Sequence, residues 1–234
     1  MLNEEIKLQV KFPGVYILTF ENGKESLATK NLVLGKSVYG EKLIKYKGVE
    51  YRLWDPYRSK LAAAILKGLS IMPIKPNGII LYLGAGSGTT VSHVSDIINN
   101  NGKAYCVEFA ARVMRELINN VCIYRKNLIP IFADARFPEK YPILIPKVDV
   151  IYCDVAQPDQ TKILLENARL YLKNDGFIML ALKARSIDVT KEPSKIFKEE
   201  IEVLKSNDFK ILQSIRLEPY EKDHAFILGI KKVI

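Results

Sequence analysis

The side chains in this sequence that can do chemistry gather at the ends of apolar runs. Lys183 closes Phe177-Ile178-Met179-Leu180-Ala181-Leu182-Lys183, a run apolar enough to be covered on both faces. An ammonium group is costly to desolvate without a partner, so Lys183 is expected to point into a polar cleft with a carboxylate nearby. Asp154, at the end of the apolar run before it, is the candidate. His224 opens the last apolar run, and a strand returning antiparallel beside Lys183 would bring it to the same edge. An amine, a carboxylate and an imidazole at one edge suit proton transfer, and the residue types leave open which group is the base.

A second set of residues lies at the ends of earlier runs. Ile79 to Leu83 is followed by Gly84-Ala85-Gly86-Ser87-Gly88 and then Thr89-Thr90. A glycine-rich turn between strand and helix lets backbone approach a ligand closely, and the helix N-terminus beyond it offers free N–H donors. The spacing is G-x-G-x-G, whereas the dinucleotide fingerprint would need its third glycine at Thr89. Glu108, with Phe109 beside it, ends the next run about 20 residues further on, where a carboxylate accepts both hydrogen bonds of a ribose diol. Asp134 and Ala135 follow the third run, at the position that meets the adenine amino group in adenosylmethionine enzymes. Asp154-Val155-Ala156-Gln157 follows the fourth and would line the methionine end. Four consecutive strand ends thus carry ligand-type residues where open α/β sheets place their sites, and S-adenosylmethionine is the expected cofactor.

Placing these residues at one edge requires alternating strands and helices. Strands are predicted at Ile79 to Leu83, Lys103 to Glu108, Leu128 to Ala133, Val148 to Asp154 and Gly176 to Lys183, with amphipathic helices between them. Ser59 can cap a helix from about Lys60 to Leu69. Helix Ser194 to Ser206 leads into Lys210 to Leu217 and His224 to Val233, two strands whose short connection predicts an antiparallel hairpin. Before Trp54 the chain reads as β. Val15 to Phe20 runs into Asn22-Gly23, a type I′ signal because both turn positions favour φ > 0, and Lys45 to Arg52 has the form of a second tight hairpin. Too little apolar sequence lies there for an independent fold, so residues 1–52 are expected to pack as a small β region against an α/β domain at 53–234.

Composition fits one such domain with a small appendage: 234 residues, 48% hydrophobic. No apolar run approaches the roughly 18 to 20 residues that span a bilayer. The opening MLNEEIKLQVKF has neither an apolar signal core nor an arginine-rich transit pattern, so a cytoplasmic location is expected. The net charge of +9 permits an anionic partner such as nucleic acid. Cys106, Cys122 and Cys153 are odd in number, widely spaced and set among apolar residues, and read as core hydrophobes.

Longer stretches are more specific than any of these motifs. They include Tyr51-Arg52-Leu53-Trp54-Asp55-Pro56, the run Leu83 to Val94, Val107-Glu108-Phe109, Ala133-Asp134-Ala135-Arg136 and Cys153-Asp154-Val155-Ala156-Gln157-Pro158. Through them nearly the whole chain resembles the fibrillarin family in its archaeal form. The resemblance implies a Rossmann-like S-adenosylmethionine-dependent methyltransferase sheet of order 3-2-1-4-5-7-6 with the last strand antiparallel. It implies 2′-O-ribose methylation of rRNA, and of tRNA, by the catalytic subunit of a box C/D guide-RNA ribonucleoprotein. The implied partners are a Nop-domain scaffold protein, a kink-turn-binding protein, guide RNA and target RNA, with no membrane. By position it implies a catalytic set of Lys60, Asp154, Lys183 and His224. Lys60 enters through the resemblance alone, since a lysine in the first turn of an amphipathic helix is ordinarily solvated. Two rival readings are a small-molecule O-methyltransferase, which usually needs a divalent metal or an enclosing lid, and a non-catalytic docking subunit. The sequence has no metal-ligand cluster, and intact Asp154 and Lys183 argue against the docking subunit.

Overall fold

The computed structural model describes residues 6–141 and 145–232. The N-terminal strands β1 (Lys7–Phe12), β2 (Val15–Thr19), β3 (Glu25–Lys30), β4 (Leu43–Tyr46) and β5 (Val49–Leu53) form an antiparallel sheet in the order β1-β2-β3-β5-β4. Lys47 and Gly48 both have positive φ, +47° and +80°, and join Tyr46 to Val49 as a two-residue type I′ turn. The β2–β3 connection differs from its prediction. The Gly23 N–H donates to the Phe20 carbonyl at 2.8 Å, and the Phe20 N–H to the Lys24 carbonyl at 2.9 Å. Gly23 takes positive φ but Asn22 does not, so this is a type I turn closed by a left-handed glycine. Asn22 instead uses its side-chain oxygen to accept from the Lys24 N–H, a local bond that competes with the left-handed conformation.

The rest of the chain alternates: α1 (Lys60–Leu66), β6 (Ile79–Leu83), α2 (Thr89–Ile98), β7 (Lys103–Glu108), α3 (Ala111–Asn120), β8 (Leu128–Phe132), β9 (Val148–Cys153), α4 (Gln160–Tyr171), β10 (Leu172–Lys183), α5 (Ala184–Ile187), α6 (Pro193–Ser206), β11 (Phe209–Arg216) and β12 (His224–Lys231). The sheet order is β8-β7-β6-β9-β10-β12-β11. It is parallel from β8 to β10, and β12 runs antiparallel to both its neighbours. This is the 3-2-1-4-5-7-6 order of the methyltransferase sheet.

Alternate strand residues serve two cores, as period-2 geometry requires. Tyr82, Tyr152, Met179 and Phe226 face α1 and α2, while Leu83, Cys153, Leu180 and Ile227 face α4 and α6. In the α/β domain three boundaries differ from expectation by more than one residue. Helix α1 stops at Leu66 because Gly68 turns left-handed, its N–H reaching the Ile65 carbonyl and that of Leu69 reaching Ala64, which closes the helix. Strand β10 begins at Leu172, four residues early, with its register against β9 broken between Leu172 and Phe177. Strand β12 ends at Lys231, and Val233 lies outside the described residues.

The N-terminal sheet is fastened to α2 by buried charge. The Asp96 carboxylate accepts from Arg52 at 2.8 Å, from Thr29 at 2.8 Å, from the Leu32 N–H at 3.0 Å and from Arg125. Arg52, fully buried, also bonds Glu41 at 2.6 Å and Ser92 at 2.8 Å. His93 lies in the same layer, stacked on Trp54 with ring centroids 4.6 Å apart. Thr29 gives its hydroxyl proton to Asp96, so its oxygen accepts from the His93 Nδ1–H. That leaves Nε2 to accept from the Tyr39 hydroxyl 2.8 Å away. Burial, and then the charges of Arg52 and Arg125, push this imidazole well below the usual histidine range. The unfolded chain therefore binds a proton below about pH 6.5 that the folded chain refuses. Stability should be full above that pH and fall as pH drops below it. Denaturant unfolding between pH 7.5 and 5 should show His93→Gln losing stability less steeply than the parent, by up to about 1.4 kcal/mol per pH unit.

Candidate active site

The site is built where β6 and β9 end. The Asp154 N–H donates to the Leu83 carbonyl at 2.9 Å, so the chain leaving β9 runs directly against the glycine turn. Gly84 has φ +77°, and a Cβ added there would lie 2.8 Å from the Asp154 carbonyl oxygen. Only a residue without a side chain lets the two backbones meet. Gly86 has φ +58° but nothing within 4 Å of its Cβ position. Glu108 closes the turn from the far side, accepting from the Gly86 N–H at 3.1 Å and the Ala110 N–H at 2.9 Å.

These pieces enclose a cavity of about 350 Å³. Gly84 and Gly86 line one side, Glu108 and Phe109 a second, and Asp134 with Ala135 a third, while Asp154, Val155, Ala156 and Gln157 complete it. Phe109 stands 56% exposed at the rim. Arg136 grips both Asp134 oxygens at 2.6–3.1 Å and holds that carboxyl below its usual range. Ala85, Thr89 and Thr90, expected at this ligand, are not on the cavity wall. Ala85 is buried, and Thr90 donates its hydroxyl to Ser59 at 3.0 Å. Val107, Ala133 and Ile163 line the cavity without having been expected. The first two precede the acidic residues directly, but Ile163 is one apolar position of an amphipathic helix and carries no motif. A diol-sized acceptor at Glu108, a second carboxylate at Asp134 and apolar walls between them suit an adenosine, and the open face of Gly86 admits its approach.

Beside the cavity, Asp154 gathers two lysines. The Lys183 Nζ lies 2.8 Å and the Lys60 Nζ 3.3 Å from the same oxygen, Oδ1. Lys183 also donates to the Asp154 carbonyl at 2.9 Å. The three side chains are only 14–17% exposed. Each is set by its element. Lys183 ends β10, where Gln160, buried at the start of α4, bonds its N–H at 2.9 Å and its carbonyl at 3.1 Å. Lys60 opens α1, whose cap Ser59 accepts from Ala62 and from Thr90. Thr90 thus ties α1 to α2 and helps place Lys60. No sequence signal marks Gln160 or this role of Thr90.

His224 pairs with Lys183 across β12 and β10, as the antiparallel return required. Its side chain, however, is held by its own turn. Nδ1 lies 2.6 Å from the Lys222 carbonyl and 4.0 Å from Glu221. A carbonyl only accepts, so Nδ1 carries a proton, and Nε2 is the ring nitrogen not used in this bond. The structure brings Lys60, Asp154 and Lys183 into contact and sets His224 at the same edge on the neighbouring strand.

The chain matches the model of the Fibrillarin family over residues 6–233. A fibrillarin-like rRNA/tRNA 2′-O-methyltransferase of Pyrococcus abyssi is 56% identical over 218 residues, 93% of this chain and 95% of that protein. Among solved structures, Aeropyrum pernix fibrillarin in complex with natively bound S-adenosyl-L-methionine superposes with a TM-score of 0.89 at 50% identity, covering 98% of this chain and 100% of that one. The fibrillarin of a fibrillarin/Nop5p complex gives 0.81 at 43% identity, covering 94% of this chain and 98% of that one.

The two glycines separate packing from space. Gly86→Ala should cost about 1–2 kcal/mol, the penalty of a side chain in left-handed backbone. Gly84→Ala should cost more, because the Asp154 backbone must move as well. Equal losses in denaturant unfolding would show that the Gly84–Asp154 approach is not tight.

Proposed function

The chain belongs to the fibrillarin family, and from that premise we propose that Lys60, Asp154, Lys183 and His224 carry out methyl transfer to a ribose 2′-hydroxyl of rRNA and tRNA. The protein is an S-adenosylmethionine-dependent RNA 2′-O-methyltransferase. The observation that carries the assignment of residues is the convergence of two lysines on Asp154, whose own backbone walls the cofactor cavity. Glu108 holds the ribose diol of the cofactor and Asp134 the adenine amino group, while Asp154 to Gln157 enclose the methionine end. The cofactor supplies a methyl group on a sulfonium sulfur.

A ribose hydroxyl is a poor nucleophile until its proton is partly removed. As the oxygen–methyl bond forms and the sulfur–methyl bond breaks, that proton must leave. Lys183, reacting as the free amine, steers the 2′-oxygen and takes the proton, becoming an ammonium. Asp154 fixes the direction of Lys183 and balances the charge of Lys60 and the charge that Lys183 gains in the step, and His224, through Nε2, holds the ribose or relays the proton onward. Holding both reactants in line supplies much of the rate, since aligned intramolecular reactions reach effective molarities of about 10⁵ M or more.

Partners follow from the family. A Nop-domain scaffold holds the subunit in place, a kink-turn-binding protein and guide RNA complete the particle, and the guide selects the ribose by base pairing. The net charge of +9 supports contacts to RNA backbone, which carry little sequence information. Residues 1–52 serve as an appendage to the catalytic domain at 53–234, and the protein works in the cytoplasm. Among the described residues no helix is long and apolar enough to cross a membrane.

In the assembled complex Lys183→Ala should slow methyl transfer by about 100-fold or more, the range of a lost general base. Its affinity for adenosylmethionine should stay within a few-fold of the parent. Full activity in this variant would overturn the role given to Lys183.

A further inference from the structure

A groove of about 570 Å³, larger than the cofactor cavity, runs between the N-terminal sheet and the segment that leads into α1. Tyr57, Arg58, Lys24, Lys42 and Tyr220 are among the residues that line it. Tyr57 is 62% exposed, an unusual position for a large aromatic ring, and meets Tyr220 edge-on with centroids 5.1 Å apart. The ring is held out by a turn, in which the Asp55 carboxylate accepts from the Tyr57 N–H at 2.9 Å and the Asp55 carbonyl accepts from the Arg58 N–H. Trp54 also lines the groove, 2% exposed, and its indole N–H has no hydrogen-bond partner among the described residues.

Both segments that build the groove lead along the chain into the proposed catalytic cluster. Tyr57 precedes Lys60 by three residues, a reach of at most about 11 Å, and Tyr220 precedes His224 by four in the turn between β11 and β12. A strand whose ribose lies at Lys183 therefore has this groove beside it. The charge also suits a polyanion. Glu41 is consumed by Arg52 and by the N–H groups of Val38 and Tyr39, and Asp55 by the Tyr57 turn. The exposed charges that remain are Lys24, Lys42 and Arg58 against Glu25. Aromatic faces flanked by cations form the general binding platform for bases of single-stranded nucleic acid.

Resting on the ribose-methylation reading, we propose that this groove binds the target RNA next to the methylated ribose, with a base against Tyr57 and phosphates at Lys24 and Lys42. The test uses the complex of full chain, scaffold, kink-turn protein and guide. The target RNA carries 4-thiouridine at the nucleotides flanking the methylated ribose. Irradiation should cross-link it to the peptide containing Tyr57. Tyr57→Ala should raise the KM for target RNA about ten-fold, the effect of losing one base–aromatic stack. The maximal rate and adenosylmethionine affinity should change less than two-fold, and Tyr57→Phe, which keeps the ring, should recover most of the loss. An active wild-type complex with no cross-link in the groove, and a KM unmoved by Tyr57→Ala or by Lys24→Ala with Lys42→Ala, would overturn the proposal. So would loss of scaffold binding in these variants with cross-links elsewhere, which would make the groove a protein-docking face. A wild-type complex that cross-links at Tyr57 yet transfers no methyl would instead sink the ribose-methylation reading and leave the groove as an RNA site.

Discussion

The approach of the Gly84 backbone to the Asp154 carbonyl is the contact on which the site depends. Strands β6 and β9 are parallel neighbours, so the chains leaving them must diverge or pack, and the missing side chain at Gly84 lets them pack. One consequence is that Asp154 works in two directions. Its backbone and the residues after it wall the cofactor cavity, while its carboxylate meets Lys60 and Lys183. The cavity proposed for the methyl donor and the lysines proposed to act on the acceptor are thus registered against each other by a single residue on a rigid strand end.

That registration is supported from below. Asp96 fastens the N-terminal sheet to α2, the helix that begins at the glycine turn. At its N-terminal end α2 reaches α1 through Thr90 and Ser59, and α1 carries Lys60. A buried carboxylate shared by two arginines is costly to assemble and costlier to break by halves, so the sheet is locked to the layer that carries Lys60. The N-terminal region therefore helps place Lys60, one of the lysines proposed to be catalytic, as well as furnishing one wall of the groove.

Much of this was legible in the sequence, and the reasons are local. Ile79–Leu83 and Lys103–Glu108 were found with their full bounds because each apolar run stops abruptly at a glycine or a carboxylate. Asp154, Lys183 and the edge position of His224 followed from the strand pattern and the antiparallel return. Lys60 was reachable only by resemblance, since its meeting with Asp154 depends on how α1 docks. Thr90 lies in the glycine-turn motif and was read as a cofactor residue, but the helical turn directs its hydroxyl to Ser59. The Arg52–Asp96–Arg125 cluster was invisible because its members lie 44 and 29 residues apart with no spacing rule to join them. The Asn22-Gly23 turn type was missed because the asparagine side chain satisfied the Lys24 N–H without left-handed backbone.

The most direct measurement is a double-mutant cycle on single-turnover methyl transfer by the assembled complex, using Asp154→Ala, Lys183→Ala and the pair together. If the two residues act as one unit through their shared contact, the double variant should be no more than about three-fold slower than Lys183→Ala alone. Losses that multiply would contradict a single aspartate–lysine unit acting on the ribose hydroxyl.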